Sequence, residues 1–206
     1  MTHQQKLLEN FGNIDIYLFD QILKGRFDGV TSILDTGCGY GRNLVYFLQN
    51  GFDVYGIDQD ANAIFNIQKI AHQLAPHIPA DHFRPADLRK IPHEDARFDA
   101  IISNAVLHFA EDETHFRQML DEIWRVLLPG GLFFCRLASS IGIESRIKKL
   151  SDRKYALPDG STRFLVDEEM LLVTSDRLNG KLLDPIKTTN VQNLRCMTTW
   201  CLEKGG

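Results

Sequence analysis

Apolar and polar positions along the chain switch repeatedly between two periods. Short continuous apolar runs appear at Ile33-Leu34, Val54-Tyr55-Gly56-Ile57, Ala100-Ile101-Ile102 and Leu132 to Leu137. Runs of that length, rich in branched and aromatic side chains, suit strands buried on both faces. They predict strands near 31–36, 53–57, 98–103 and 132–137, with a further one near 82–86. Helical spacing fills the gaps: Phe116, Met119/Leu120, Ile123 and Val126/Leu127 share one face, which predicts a helix over 113–127. Helices are likewise expected from about 41 to the stop at Asn50-Gly51, and over 60–74 before Pro76. An N-terminal helical cap over 1–30 starts at Asp15 as N-cap, with Ile14 and Phe19 as a hydrophobic staple, and stops at Gly25. The alternation of strand and helix predicts a parallel sheet covered on both faces, with ligands at the carboxyl ends of its strands. After Ser140 the rhythm changes. A basic segment expected to be helical and a turn at Pro158-Asp159-Gly160 precede a helix over 167–179. Two β-rich runs, 181–190 and 194–203, then close the chain around Gln192-Asn193. With no repeat or low-complexity linker, one domain over 1–206 is expected, with 139–166 as a lid insertion.

The first strand runs into Asp35-Thr36-Gly37-Cys38-Gly39-Tyr40-Gly41, and seventeen residues after Gly41 the second strand ends on Asp58. Glycines allow backbone turns closed to other residues and leave room for a ligand against the main chain. An acid at the tip of the next strand is placed to accept from the two hydroxyls of a ribose. The pattern therefore points to a cofactor containing a nucleoside. A dinucleotide fingerprint reads G-x-G-x-x-G; here the third glycine comes one residue early and Arg42 follows, which disfavours a dehydrogenase.

The run Leu34-Asp35-x-Gly37-Cys38-Gly39-x-Gly41 resembles motif I of the class I S-adenosylmethionine (SAM) methyltransferases. Ala86-Asp87-Leu88, Phe98 to Asn104 and Leu128-Pro129-Gly130-Gly131 resemble later motifs of that family, in order. The resemblance implies a Rossmann-like doubly wound sheet of seven strands in the order 3-2-1-4-5-7-6, the last antiparallel. It implies SAM as cofactor and S-adenosylhomocysteine as product. By family position, Gly37 and Gly39 lie against the methionine and ribose parts, Asp35 holds the ammonium end, and Asp58 takes the ribose. Asp87 and Leu88 meet the adenine, and Asn104 the methionine end. Cys38 and Tyr40 of the same loop, and Gln59 beside Asp58, complete the expected cofactor site. A closer similarity, Gly39-Tyr40-Gly41-Arg42-Asn43 with Asn50-Gly51-Phe52-Asp53-Val54, is to the tellurite-resistance methyltransferases, whose acceptors are soft chalcogen oxyanions and thiols.

Methyl transfer from a sulfonium is an in-line displacement, so alignment and exclusion of water supply much of the rate. His108, four residues past Asn104, is the candidate general base, with packing as the alternative reading. Tyr17, Arg136 and Arg146 are the candidate acceptor-side residues, and the basic character of 139–166 would suit an anionic acceptor. The chain lacks the Asp/Asn-Pro-Pro-Tyr/Phe box of amino-methylating DNA enzymes and the Pro-Cys pair of cytosine methylases. A small-molecule acceptor is favoured; RNA or protein methylation, and a SAM-binding module without catalysis, remain as alternatives.

Composition narrows the rest. The 206 residues, 44% hydrophobic and 24% charged, suit one buried α/β domain. A net charge of −4 weighs against a nucleic-acid grip. The charge is uneven: 12 basic and 18 acidic residues over 1–138, then 11 and 9 over 139–206. The four scattered cysteines and seven histidines show no metal-ligand spacing, so no metal is expected, and the thiols are expected reduced and mostly buried. No apolar run is long enough to span a membrane and no signal-peptide pattern opens the chain, so a cytoplasmic location is expected. Oligomeric state is not legible.

Overall fold

The computed structural model describes residues 1–206. Its central sheet is built on β1 (Ser32–Thr36), flanked by β2 (Asp53–Asp58) and β3 (Phe83–Pro85) on one side and by β4 (Phe98–Asn104) and β5 (Leu127–Ser139) on the other. All of these pair in parallel. The edge beyond β5 is antiparallel: β11 (Arg195–Lys204) runs against β5, and two short strands, β9 (Gly180–Leu182) and β10 (Lys187–Val191), pair with opposite ends of β11. The expected order therefore holds from the third strand to the antiparallel partner of β5. It differs at the outer edge, where the single sixth strand is two pieces separated by residues 183–186.

Period-two alternation divides the strands between two cores. On β1, Leu34 joins a cluster with Ile101, Phe133 and Trp200. Its neighbour Ile33 joins the opposite cluster with Ala100, Ile102 and Phe134. The first core is covered by α5 (Glu113–Val126), through Phe116, Leu120 and Ile123, and by α6 (Glu168–Arg177), through Met170 and Leu171. The second is covered by α2 (Ile16–Leu23), α3 (Val45–Gln49) and α4 (Ala61–Leu74) through Leu18, Phe47 and Ile67. Four of these helices begin on an aspartate whose carboxylate accepts an orphan N–H of the first turn: Asp15, Asp60, Asp112 and Asp167. At its other end α5 is closed by Lys204, whose ammonium donates to the carbonyls of Trp124 and Leu127 at 2.5 and 2.7 Å. Trp200 Nε1 donates to Ser175 Oγ at 3.0 Å, so its buried polar atom ties β11 to α6.

Three expectations change. The helix after the glycine loop is five residues long and starts at Val45, because residues 41–44 are taken up by turns. Within the expected cap over 1–30, an additional helix, α1 (His3–Phe11), precedes the one expected from Asp15; Thr2 and Gln5 form a reciprocal capping box, and Phe11 packs edge-on against Phe19 at 4.9 Å. The basic segment is not helical. It forms a three-stranded antiparallel sheet, β6 (Lys148–Ser151), β7 (Lys154–Ala156) and β8 (Thr162–Phe164). Lys148 and Lys149 face water, while Phe164 stacks on Phe116 at 4.9 Å in the main core and Arg153 pairs with Asp167 at 2.5 Å. Residues 139–166 thus pack against the main core through Phe164 and Arg153.

Gly41 shows how tightly the loop is packed. Its φ is +77°, and an added Cβ would lie 2.1 Å from Ile67 Cδ1 of α4. Gly39 also has positive φ, +51°, but nothing lies within 4 Å of such a Cβ. Left-handed backbone costs a side-chain-bearing residue about 1–2 kcal/mol at either position. Gly41→Ala should therefore lower the thermal midpoint by several degrees more than Gly39→Ala, the difference reporting the overlap with Ile67. Equal midpoints in parallel melts would show that α4 does not press on the loop.

Candidate active site

The carboxyl ends of β1, β2, β3 and β4 open into a cavity of about 780 Å³. Its position is set by the backbone. The N–H groups of Gly37 and Cys38 both donate to the carbonyl of Ile57, at 2.7 and 3.0 Å, so the glycine loop is tied to the tip of β2. The Asp58 carboxylate then accepts from Gly39 N–H at 2.8 Å and from Asp60 N–H at 2.9 Å. Two N–H donors leave this carboxylate spare lone pairs and a fixed orientation. Gly37, Asp58, Gln59, Asp87, Leu88 and Val106 are among the cavity's walls. Asp87 is held by Arg89 through a forked pair at 3.0 and 2.5 Å, and those hydrogen bonds keep its carboxyl below the usual range. Cys38 is buried with its thiol pushed well up by burial, so only its main chain serves the site. The Tyr40 ring is 61% exposed and is not among the lining residues. The two glycines differ: Gly37 lets Val106 approach, whereas nothing lies within 4 Å of a Cβ at Gly39.

Two buried groups at the same strand ends lack partners. Both carboxylate oxygens of Asp35 and both amide atoms of Asn104 are enclosed without a hydrogen bond. Burial raises the Asp35 pKa to about 7, with the charge of Asp58 adding to the effect. An uncompensated buried carboxylate is costly, and a cation beside it would remove that cost. The amino acid end of SAM supplies an ammonium, so the orphaned Asp35, the open face of Gly39 and the pinned Asp58 fit that cofactor.

A second cavity, of about 290 Å³, lies on the other side of Ala105, which lines both. Ala105 has φ +62°, a left-handed conformation sustained by its N–H donating to Arg136 O at 2.7 Å. Four arginines line this second space: Arg42, Arg136, Arg163 and Arg195. Buried Asp15 sits behind two of them, 3.2 Å from Arg42 and 3.3 Å from Arg136. Asp159 lies 4.0 Å from Arg195 and accepts from the N–H and hydroxyl of Ser161 at 2.9 and 2.6 Å. These interactions hold its carboxyl below the usual range, the Ser161 hydroxyl bond contributing most and only partly offset by burial.

The candidate acceptor-side residues are placed unequally. His108 lines the second cavity, but its Nδ1 accepts the N–H of Ala138 at 3.2 Å. The neutral ring therefore carries its proton on Nε2, the nitrogen left for the cavity. Burial lowers its pKa to about 4, helped by Arg163, Arg136 and Arg195. A ring in that tautomer donates a hydrogen bond and does not remove a proton, which corrects the expected general base. Tyr17 does not line the cavity. Its hydroxyl meets Thr189, and its ring lies 5.0 Å from the Arg136 guanidinium, so it supports that arginine from behind. Arg136 lines the cavity, with Nε buried and unpartnered. Arg146 does not line it: it is exposed in the turn before β6, its N–H bonded to Ile143 O. Arg163 and Arg195, far apart in sequence, were missed because only the folding of β8 and β11 brings them together. Ala105 offered no sequence signal.

The family model for a methyltransferase domain matches residues 34–135. A malonyl-[acyl-carrier protein] O-methyltransferase of Salmonella typhimurium is 34% identical over 101 residues, 49% of this chain and 36% of that protein. A tRNA (carboxymethyluridine(34)-5-O)-methyltransferase of Schizosaccharomyces pombe is 33% identical over 103 residues, 49% of this chain and 40% of that one. The chain thus spans well under half the length of either relative. Solved structures align over far more of it. A SAM-dependent methyltransferase from Methanosarcina mazei has TM-score 0.73 at 18% identity, covering 89% of this chain and 97% of that one. A 1,6-didemethyltoxoflavin-N1-methyltransferase from Burkholderia thailandensis, with bound S-adenosylhomocysteine, has TM-score 0.70 at 18% identity, covering 98% and 83%. Motif order, strand topology and the family match agree: residues 34–135 match a methyltransferase domain, on the fold of solved SAM-dependent methyltransferases.

Proposed function

We propose that the chain transfers a methyl group from SAM to a small-molecule acceptor, the donor in the larger cavity and the acceptor in the smaller one. The observation that carries this reading is that Ala105 lines both cavities, which supports an acceptor site adjoining the donor as a direct displacement requires. SAM supplies the electrophilic methyl carbon and is consumed as a second substrate. The chain's own contribution is placement: Asp58 for the ribose, Asp87 and Leu88 at the adenine side, Asp35 and Asn104 at the amino acid end. Both curated relatives named above are O-methyltransferases, which supports an oxygen acceptor here. The similarity to tellurite-resistance methyltransferases lies within the cofactor loop and the start of β2, so it bears on the donor side and not on the acceptor.

Isothermal titration should show SAM and S-adenosylhomocysteine binding and no binding of NAD; tight NAD binding with neither SAM species would overturn the reading. Charge-assisted hydrogen bonds are each worth about 1.5–3 kcal/mol. Asp58→Ala should therefore weaken S-adenosylhomocysteine binding roughly tenfold to a few hundredfold in a folded protein. Unchanged affinity would place the ribose elsewhere.

Asp35 adds a pH signature. Its pKa in the free protein is raised to about 7, so it is partly protonated at neutral pH, and a ligand ammonium favours the ionised form. Binding should expel a fraction of a proton near pH 7, and affinity should fall as pH drops below about 7. Calorimetry in buffers of different ionisation enthalpy reads that proton. Asp35→Asn should abolish the release; a wild-type protein that releases none would show that the ammonium does not lie at Asp35.

A further inference from the structure

The smaller cavity's charges and its lack of a strong base bear on which acceptor it takes. This inference rests on reading the larger cavity as the methyl-donor site. The four lining arginines carry four positive charges, and Asp15 and Asp159 return two negative ones. The space is left with an excess of two positive charges. That excess is not confined to mobile surface groups. Arg136 is mostly buried, with an unpartnered Nε. Arg163 stacks on Phe109, 4.9 Å from its ring, where the two cavities meet. Asn104, 8% exposed, brings an amide with no partner to the same wall.

Strong bases are absent on the same count. The lining side chains that titrate are the four arginines, His108 and Asp159. His108 presents a proton rather than a lone pair, because Ala138 N–H occupies Nδ1. The Asp159 carboxylate is engaged by Ser161 and Arg195. An alcohol, amine or amide acceptor would have to lose a proton with only the weakly basic Asp159 carboxylate in the lining to take it. An acceptor that arrives ionised needs no such group.

We propose that the acceptor is a compact organic dianion carrying two carboxylates, one anchored by Arg163 and Arg195 and the other methylated on oxygen. A carboxylate oxygen forms a bond to the methyl carbon as the carbon–sulfur bond breaks, and that bond's electron pair stays on sulfur. The sulfonium becomes a thioether, the carboxylate becomes a methyl ester, and no proton is transferred. One negative and one positive charge vanish together, a change that a water-poor cavity favours. Arg163 and Arg195 are then specificity determinants, and His108 Nε2–H is a donor that orients the anion.

The test uses the whole chain loaded with S-adenosylhomocysteine for binding and with SAM for turnover. Probes are linear dicarboxylates of three to six carbons, their monoamides, inorganic phosphate, and neutral diols and amines. At least one dicarboxylate should bind and yield a methyl ester by mass spectrometry, at least tenfold more efficiently in kcat/KM than its monoamide. Arg163→Gln and Arg195→Gln should each raise KM for it tenfold or more, with S-adenosylhomocysteine affinity held within twofold. Arg163→Lys should restore part of the loss, which separates lost charge from lost folding. Methylation of a neutral diol or amine in preference to every dicarboxylate would overturn the proposal. So would phosphate binding without dicarboxylate binding, or arginine variants with unchanged KM. Failure to bind S-adenosylhomocysteine at all would strike the methyltransferase reading first and is distinguishable by that titration alone.

Discussion

Everything on the donor side depends on one backbone junction, the two N–H groups of Gly37 and Cys38 converging on the Ile57 carbonyl. That junction exists because β1 and β2 pair in parallel with Thr36 beside Ile57, so both strands end at the same level. Gly37 can make the turn because its φ is +75°. Once the loop is fixed there, Gly39 N–H reaches Asp58 and aims the carboxylate back toward the loop. The fold thereby turns sheet register into the position of a recognition group.

The same junction explains why the site stores unfavourable charge. Asp35 near the end of β1, under the two packed cores, is enclosed without a partner. Hydrophobic packing by Ile33, Leu34 and their neighbours in the two cores makes this sustainable. The smaller cavity inverts the sign: its walls combine Arg42 after the glycine loop and the ends of β4 and β5 with residues of β8 and β11, and carry excess positive charge. Ala105, held in a left-handed turn by Arg136 O, separates the two regions. A carboxylate on the donor side and guanidiniums on the acceptor side suit a reaction between a cationic donor and an anionic acceptor.

The glycine loop and its link to Asp58 were legible in the sequence because they are local. Asp35, Gly37, Gly39 and Asp58 fall within 24 residues, and the strands that carry them show as continuous apolar runs. The Asp15 cap and the amphipathic face of α5 were readable for the same reason. Residues 139–166 were not: their three short strands expose alternating charges around few apolar anchors, so Arg146, Lys148 and Lys149 read as a basic helix. The residues after Gly41 read as helix because turns are hard to separate from a first helical turn. His108 was recognisable as a site residue, but its tautomer depends on Ala138, thirty residues away. Arg163 and Arg195 meet only through tertiary structure.

The central claim is that loop register places a nucleoside at Asp58 and an ammonium at Asp35. A crystal structure of the protein with S-adenosylhomocysteine tests it most directly. The account predicts both ribose hydroxyls within about 3 Å of the Asp58 carboxylate, the adenine between Asp87 and Leu88, and the amino group drawn toward Asp35 and Asn104. The thioether sulfur should face Ala105 and the smaller cavity. A ligand whose ribose lies away from Asp58, or whose sulfur points away from the arginine-lined space, would contradict it.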